Sequence, residues 1–426
     1  MSSILTNNSA MVALQTLRNI NSNMSQTQGE ISTGKSVASA KDNSAVWAIS
    51  KTMESDVSGF KSISSSLALG ESTIATARSA SEQITDLLGE IKGKIVNAQE
   101  SNMDREKLQT DLSAIRDQIS SIVGSAQFNG LNLLSNREGG ATVAQIVGNT
   151  GAGAGVKDSG TVSILSSLDR DSAGNVTASN IDAGKADLGT QDVTVGSGTV
   201  LAAAAMTGAG AIAAAGTSTM TVVGEIATAA RGGNRVLAGD GYAIGGLTGI
   251  TNAVNYVARD GDTVTDIARG LTERLNFEAK AAGVDISATL GSNGAIEITN
   301  NTAASVTTTA ALTTGGTAGG GMAILGDIDV STEDGAKAAL SAIEGLTQTA
   351  VRAAADFGSA QGRVEIQGEY VSNLMDSLKA GIGSLVDANM EETSAKLQAL
   401  QVQQQLGIQA LSIANQAPQN ILSLFR

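Results

Sequence analysis

Residues Gly29 to Ser36 read GEISTGKS, which fits the phosphate-cradling pattern G-x-x-x-x-G-K-[ST] and would make Lys35 and Ser36 nucleotide and magnesium contacts. That chemistry needs a buried strand before the loop and a helix opening after it. Here the preceding Asn21 to Gln28 is polar and helix-phased, so the stretch is expected to be an ordinary loop. Asp169, Asp171 and Gly174 begin like a calcium loop, but Ala173 and Asn180 stand where a further ligand and the bidentate Glu belong. A solvated turn is expected there. Asp260-Gly261-Asp262 reads as a turn plus a helix cap. Asn175-Val176-Thr177 and Asn300-Asn301-Thr302 fit the Asn-glycosylation pattern.

Composition removes most remaining chemistry. With 0 Cys and 0 His in 426 residues, thiolate nucleophiles, imidazole bases and Cys/His zinc sites are excluded. No residue is nominated as catalytic, cofactor-binding or metal-ligating. A net charge of −14 argues against nucleic acid, whose counterions a basic face must displace. No stretch approaches the roughly 20 apolar residues that cross a bilayer, so no membrane partner is expected. Met1 to Met11 lacks a basic segment and an apolar core, which predicts no cleavable signal peptide.

The elements follow a helix, insertion, helix plan. From the start to about Ser135 glycine is sparse and apolar residues recur at helical spacing. Ala10, Leu14, Leu17, Met24 and Ile31 form one stripe, diluted by Asn21 and Gln28. Ile74, Ala77, Ile84, Leu88, Ile91 and Ile95 form another. Leu108, Leu112, Ile115, Ile119 and Ile122 step as a coiled-coil seam. Ser101 to Arg105 supply a turn between helices, and Phe128-Asn129-Gly130 a turn into a hairpin. From Ser331 onward the helical pattern returns, with Ser331 and Asp334 read as a capping box. Leu340, Ile343, Leu346 and Val351, then Val371, Leu374, Leu378 and Ile382, continue it. The last phase is Val386, Met390, Leu397, Leu400, Gly407, Leu411 and Ala414, interrupted at Gln404.

Between these ends, residues from about Glu138 to Asp329 are rich in Gly, Ala, Thr and Val. Thr263 to Ala282 predicts a helix capped by Asp262, with Val264, Ile267, Ala268, Leu271 and Leu275 on one face. A hairpin follows, in which Val284, Ile286, Ala288 and Leu290 alternate before the Ser292-Asn293-Gly294 turn and Ile296 and Ile298. Leu201 to Gly216 carries no readable pattern. The fold class is α+β: long antiparallel helices from both chain ends, plus a β-rich central insertion. The domains expected are 1–40 with 387–426, 41–140 with 330–386, and 141–329. Diluted stripes on long helices are marginal in water. Each end therefore requires the other end and neighbouring copies, and the ends are expected to fold as they assemble.

Three stretches resemble the bacterial flagellins: ISTGKSVASAKDNSAVWAI at Ile31 to Ile49, QFNGLNLL at Gln127 to Leu134, and ANQAPQNILSLFR at Ala414 to Arg426. The resemblance covers about Met1 to Asn136 and Ala338 to Arg426. It implies a non-enzymatic, extracellular subunit that polymerises into the flagellar filament for swimming. The 1–40 and 387–426 pieces would line the inner tube and the flanking coiled coil the outer tube. Further partners implied are the flagellar export apparatus, an export chaperone, the filament cap and the hook–filament junction proteins. A junction protein of the same family is the alternative function.

The resemblance also places sites. Leu14, Leu17, Met24, Ile31, Leu397, Leu400, Leu411, Ile413, Leu422 and Phe425 become candidates for the subunit interface. Ile413, Ile421, Leu422, Leu424 and Phe425 become candidates for chaperone docking. Trp47 has two readings, core packing beneath its loop or an anchor between subunits. The second is preferred because Trp favours interfaces. At the segment that many flagellins present to a vertebrate innate receptor, Glu90, Lys94 and Asn97 replace an Arg, a Leu and a Gln. The resemblance then implies poor receptor activation, because a charge reversal at an interface is costly.

Overall fold

In the computed structural model the described residues are 7–135, 160–170, 176–199, 206–222, 225–226, 234–236, 238–250, 252, 254–259 and 262–424. Three helices open the chain: α1 (Asn8–Thr33), α2 (Ser44–Ala98) and α3 (Arg105–Ser125). Capping defines their starts. The Asn7 Oδ1 accepts the Ala10 N–H, the Asn43 Oδ1 that of Val46, and the Asp104 Oδ1 that of Lys107. The hairpin strands β1 (Gln127–Phe128) and β2 (Leu131–Asn132) follow, with Asn129 and Gly130 at φ 51° and 81°. Both turn positions need φ > 0, which Asn-Gly supplies at least cost.

The central region contains strands β3 (Thr161–Arg170), β4 (Val176–Gly184), β5 (Gly198–Thr199), β6 (Met206–Thr207), β7 (Ala211–Ile212), β8 (Gly216–Val222), β9 (Glu225–Ile226), β10 (Asn234–Arg235), β11 (Gly241–Gly245) and β12 (Val254–Val257). Helix α4 (Val264–Ala281) comes next. It is followed by β13 (Ile286–Leu290), β14 (Ala295–Asn300), β15 (Val306–Thr307), β16 (Thr309–Thr314) and the single turn α5 (Ile324–Asp327). Helices α6 (Glu333–Val386) and α7 (Met390–Leu424) close the chain. All strand pairs are antiparallel. Two four-stranded sheets run in the orders β12-β11-β16-β5 and β13-β14-β8-β6. The helix and hairpin predicted from Thr263 onward are both present, with Asn293 and Gly294 again at positive φ.

The chain divides into two units, Met1–Ser65 with Glu369–Arg426, and Ser66–Gly368. Helices α2 and α6 contribute to both. In the second unit Ile74, Ala77, Ile84, Leu88, Ile91 and Ile95 are buried, as are Leu112, Ile115, Ile119 and Val123 of α3. From α6, Ile343, Leu346, Ala350, Ala353, Phe357 and Val364 are buried too. Polar contacts tie these helices at their margins: the Arg78 Nε donates to the Gln361 Oε1 at 2.9 Å, and Lys94 reaches Asp111 at 2.9 Å. The insertion has its own core. Leu271, Leu275 and Ile267 of α4 pack with Tyr242, Ile244, Met220, Ile296 and Ile298 of the sheets. Each fully buried aliphatic side chain there is worth about 1.5–3 kcal/mol.

Four local expectations need correction. The cap of α4 is Thr263, in a capping box with Asp266, while Asp262 accepts the Tyr256 hydroxyl and the Arg259 N–H. The cap of α6 is Thr332, whose Oγ1 accepts the Gly335 N–H at 3.1 Å; Asp334 pairs instead with Lys337. Val351 is exposed and Ala350 holds the buried position, and the α3 seam closes on buried Val123 rather than half-buried Ile122. At about 3.6 residues per turn a strict heptad drifts, so the buried position moves by one residue.

Candidate functional site: the paired terminal helices

Helix α1 ends at Gly34, in the left-handed region at φ 70°, whose N–H donates to the Glu30 carbonyl. The chain then crosses to the start of the last helix. The Ser36 N–H donates to the Val386 carbonyl at 2.7 Å and the Ala388 N–H to that of Gly34 at 2.9 Å. Gly29 to Ser36 therefore sits at a helix C-terminus, where carbonyls face outward, and the Lys35 ammonium lies 3.5 Å from Glu54. A phosphate has no cradle of N–H groups here.

Helices α1 and α7 lie side by side. On α1 the covered residues recur at Ala10, Ala13, Leu17, Ile20, Met24, Thr27 and Ile31; on α7 they recur at Thr393, Leu397, Leu400, Gln404, Gly407, Leu411 and Ala414. Both series alternate steps of three and four, the spacing of a coiled-coil seam. The predicted phase is corrected at four positions. Asn21 and Gln28 are exposed, and Ile20 and Thr27 hold their places in the seam. Leu14 is 43% exposed and Ala13 takes its seam place; Met390 is 44% exposed and Thr393 replaces it. At the exposed margin of the pair the Gln404 Nε2 donates to the Asn21 Oδ1 at 2.7 Å. The Asn7 Nδ2 donates to the Ala414 carbonyl at 2.8 Å. Leu17 and Ile20 lie over Gly407, where a Cβ would come within 3.4 Å of the Leu17 Cδ1.

A second apolar line runs along α7 through Ala395, Ala399, Val402, Leu406 and Ile413, all exposed, the last at 69%. At 3.6 residues per turn it is rotated by about 150° from the seam. Met11 and Val12 likewise stand exposed on α1. Trp47, one turn inside α2, is half-buried. Ile421, Leu422 and Leu424 lie on the α7 backbone, but their side chains, and Phe425 altogether, fall outside the described residues. So do Asp171, Gly174, Asn175, Asp260 and Gly261.

Glu90 and Asn97 are exposed on α2. The Lys94 ammonium is engaged by Asp111 at 2.9 Å and Glu90 at 3.8 Å, and the hydrogen bond to Asp111 is the main cause of its raised pKa. The surface here is a row of paired charges.

Within the second unit a cleft of about 490 Å³ is lined by charged groups of both signs. Arg259 is its centre. Its Nε and Nη2 donate to the Gly319 carbonyl at 3.1 and 2.9 Å, and its Nε lies 3.2 Å from Asp187. The Tyr256 hydroxyl donates to Asp262 at 2.7 Å. Burial pushes the Asp262 carboxyl up, against the pull of Arg259. Glu273 is raised by desolvation, opposed by Arg269 and Arg352. These groups tie chain segments distant in sequence, and no local pattern announces Arg259 with Asp187. Asn300 is fully buried, and its Nδ2 serves the carbonyls of Ile212, Ala213 and Ala304, so that glycosylation pattern is a structural amide. Among the described residues no group of three or more Asp, Glu, His or Cys is placed to hold a metal ion. Nor is any helix among them long and apolar enough to cross a membrane.

Residues 4–138 match the bacterial flagellin N-terminal helical region, and residues 340–425 the C-terminal helical region. Flagellin A of Rhizobium meliloti is 34% identical over 100% of both chains. Flagellin FljM of Caulobacter vibrioides is 26% identical over 100% of this chain and 99% of its own. Among solved structures, FliC from Burkholderia pseudomallei aligns with 69% of this chain and 99% of that chain, at 14% identity and a TM-score of 0.31.

Proposed function

Because this chain belongs to the bacterial flagellins, we propose that the α1/α7 pair is the part of it that holds neighbouring copies together. The chain is a structural, non-catalytic subunit of the flagellar filament, and it works outside the cell. The observation that carries the assembly reading is the double face of α7. One apolar line, Leu397 to Ala414, is covered by α1, whereas Val402, Leu406 and Ile413 stand bare. A helix apolar on two sides requires a second partner, and in a homopolymer that partner is another copy. Subunits meeting head to tail by a rotation that does not close build a helical fibre.

Leu14, Met11 and Val12 extend that bare surface on α1, and Trp47 anchors it near the loop. Before assembly the two ends are unfolded; they gain helix as copies add. In that state the chain leaves through the flagellar export apparatus, with Ile413, Ile421, Leu422, Leu424 and Phe425 held by an export chaperone. The filament cap and the hook–filament junction proteins are its other neighbours. Full-length coverage by relatives named flagellin favours the filament over a junction role.

Seeded polymerisation tests the reading, comparing the full chain with one ending at Leu385, with circular dichroism followed throughout. Only the full chain should form filaments, gaining helical signal as it does. Equal polymerisation by the shortened chain would overturn the assignment to α7.

A further inference from the structure

The part of the insertion built on α4 and the two four-stranded sheets is joined to the helices by two crossover segments. Residues 185–197 lead out from β4, and residues 315–330 return from β16. We infer that these segments form a glycine hinge and that the Arg259 guanidinium clamps it, holding the insertion in one pose on the coiled coil. That pose belongs to the single chain and does not depend on how copies assemble.

Both segments are fixed to the helical part at their far ends. The Ala186 and Leu188 N–H groups donate to the carbonyls of Leu133 and Leu134 at 2.9 and 3.0 Å. On the return side the Gln109 side chain of α3 donates to the Ile328 carbonyl at 3.2 Å and accepts the Val330 N–H at 2.9 Å. Between these anchors and the sheets the two segments bond backbone to backbone. Thr194 and Thr317 exchange two hydrogen bonds, the Gly320 N–H donates to the Gln191 carbonyl, and the Met322 N–H donates to that of Gly189. The approach is so close that a Cβ at Gly320 would collide with the Gly189 carbonyl, and one at Gly196 with that of Thr314. Glycine is therefore required, and it leaves the ribbon permissive. With Gly189 and Gly196 on one segment and Gly315-Gly316 and Gly319-Gly320-Gly321 on the other, the backbone is free to swivel wherever no side chain fixes it.

Arg259 supplies the fixation. It follows β12, inside the insertion, and reaches back across both segments. Its Nε and Nη2 donate to the Gly319 carbonyl at 3.1 and 2.9 Å on the return segment, and its Nε lies 3.2 Å from the Asp187 Oδ2 on the outgoing one. Asp187 is itself tied down, because its Oδ1 accepts the Gly189 N–H at 2.9 Å. On the insertion side the Arg259 N–H donates to Asp262 at 2.8 Å, and the Nη1 donates to the Tyr256 hydroxyl at 3.2 Å. One planar fork thereby joins three pieces of chain, a task that suits a guanidinium and not an ammonium. Only 15% of the Arg259 side chain and 1% of that of Asp187 is exposed, so salt screens the pair little. Arg274 with Asp327, and the Lys280 Nζ with the Ser341 Oγ at 2.9 Å, also reach out from α4. Both lie at the surface, where such contacts hold weakly. Arg259 is the positioning residue.

The chain has no cysteine, so spin labels are placed without background. One pair, Gln118→Cys on α3 with Thr289→Cys on β13, spans the neck. The other, Thr289→Cys with Thr307→Cys on β15, lies within the insertion. All three positions are exposed. Distances are read by double electron–electron resonance on the unassembled full chain, with and without the double change Arg259→Met and Asp187→Asn. That change removes the fork without stranding a buried charge, and an amide at 187 still accepts the Gly189 N–H. With Arg259 present, the Gln118/Thr289 distribution should be single and narrow. With the double change it should at least double in width, while Thr289/Thr307 stays as it was.

A Gln118/Thr289 distribution already broad in the presence of Arg259 would overturn the inference. So would one that stays narrow after the double change, the result expected if Phe277 of α4, buried outside the core shared with the sheets, sets the pose instead. If the Thr289/Thr307 distance broadens as well, Arg259→Lys replaces the double change, keeping a cation beside Asp187 while losing the fork. The lysine chain should then broaden Gln118/Thr289 alone. A narrow distribution there, or broadening of both distances, would assign Arg259 to the insertion's own fold and overturn its role in the pose.

Discussion

Gly270 lies within α4, and replacing it by alanine sets two physical effects in opposition. Helix propensity favours the change, since glycine inside a helix costs about 1 kcal/mol relative to alanine. The structure opposes it. A Cβ at this position would sit 2.5 Å from the Tyr256 Cε2 and closer still to Cδ2, far inside ordinary carbon contact. The ring has no freedom to withdraw. Its hydroxyl donates to Asp262 at 2.7 Å and accepts from the Arg259 Nη1 at 3.2 Å, and the guanidinium lies 5.5 Å from the ring centre. Overpacking costs about 1–3 kcal/mol, and breaking a hydrogen bond to a charged acceptor adds about 1.5–3 kcal/mol. Subtracting the propensity gain leaves a net loss of about 1.5–5 kcal/mol. Urea denaturation of the full chain, followed by circular dichroism, reads the difference. Gly362→Ala on α6 is the control, because nothing stands within 4 Å of its Cβ; it should gain about 1 kcal/mol. If Gly270→Ala gains as Gly362→Ala does, the packing of Tyr256 against α4 is not as described.

Three further outcomes are expected. Asn132→Ala removes the Nδ2 bond to the Val123 carbonyl at 2.7 Å and leaves the Leu134 N–H without its 2.8 Å acceptor. The loss should be about 1–3 kcal/mol in the urea midpoint, and a loss below experimental error would refute the role of Asn132 in holding the hairpin. Glu273 has a folded-state pKa above its ordinary 4.5 because burial disfavours the charge. Its contribution is therefore most favourable below pH 4.5 and is lost as pH rises through the folded value. Glu273→Gln should be more stable than the unaltered chain at pH 7 and equal to it below pH 4.5, as denaturant midpoints across that range will show. Finally, purified monomer should signal weakly in innate-receptor reporter cells, because Glu90 and the paired Lys94 present charge where an Arg and a Leu are usual. Strong signalling would remove that expectation.

How far the sequence reads depends on what each residue competes with. The helix and hairpin from Thr263 to Asn300 were legible because alternation and the Asn293-Gly294 turn admit one local answer. The helical stripes were legible in existence and wrong in phase by one residue at several positions, two of them where a small residue holds the seam. Ala13 displaced Leu14, and Ala350 displaced Val351, because a sequence reading follows the larger apolar side chain while close helix packing selects the smaller. Capping failed by one residue for a similar reason. Asp262 and Thr263 are both competent caps, and the choice was made by Tyr256 and Arg259, which claim the Asp262 carboxylate. The short strands β6 and β7 carry no alternation of their own; they exist because Val222 and Val306 lie opposite them. The Arg259–Asp187 pair has no local signature at all.

The polar dilution of the terminal stripes, which makes each helix marginal alone, also suits them to assembly. A fully apolar seam on α1 and α7 would pair in any register and with any copy, and its bare second face would associate before reaching a filament end. Asn21, Gln404 and the run Gln403-Gln404-Gln405 weaken the isolated helices, and the Gln404 amide meets the Asn21 Oδ1 at the exposed margin of the pair. Val402, Leu406 and Ile413 then supply association only once α7 is ordered, because they fall on one line only in the helical state. Ordering and association are thereby coupled: a copy that has not paired its ends presents no continuous apolar face to the next. On that logic, replacing Gln404 by leucine should raise the helix content of the monomer and promote association before a filament end is reached, as circular dichroism and light scattering of the monomer will show; no change in either would refute it.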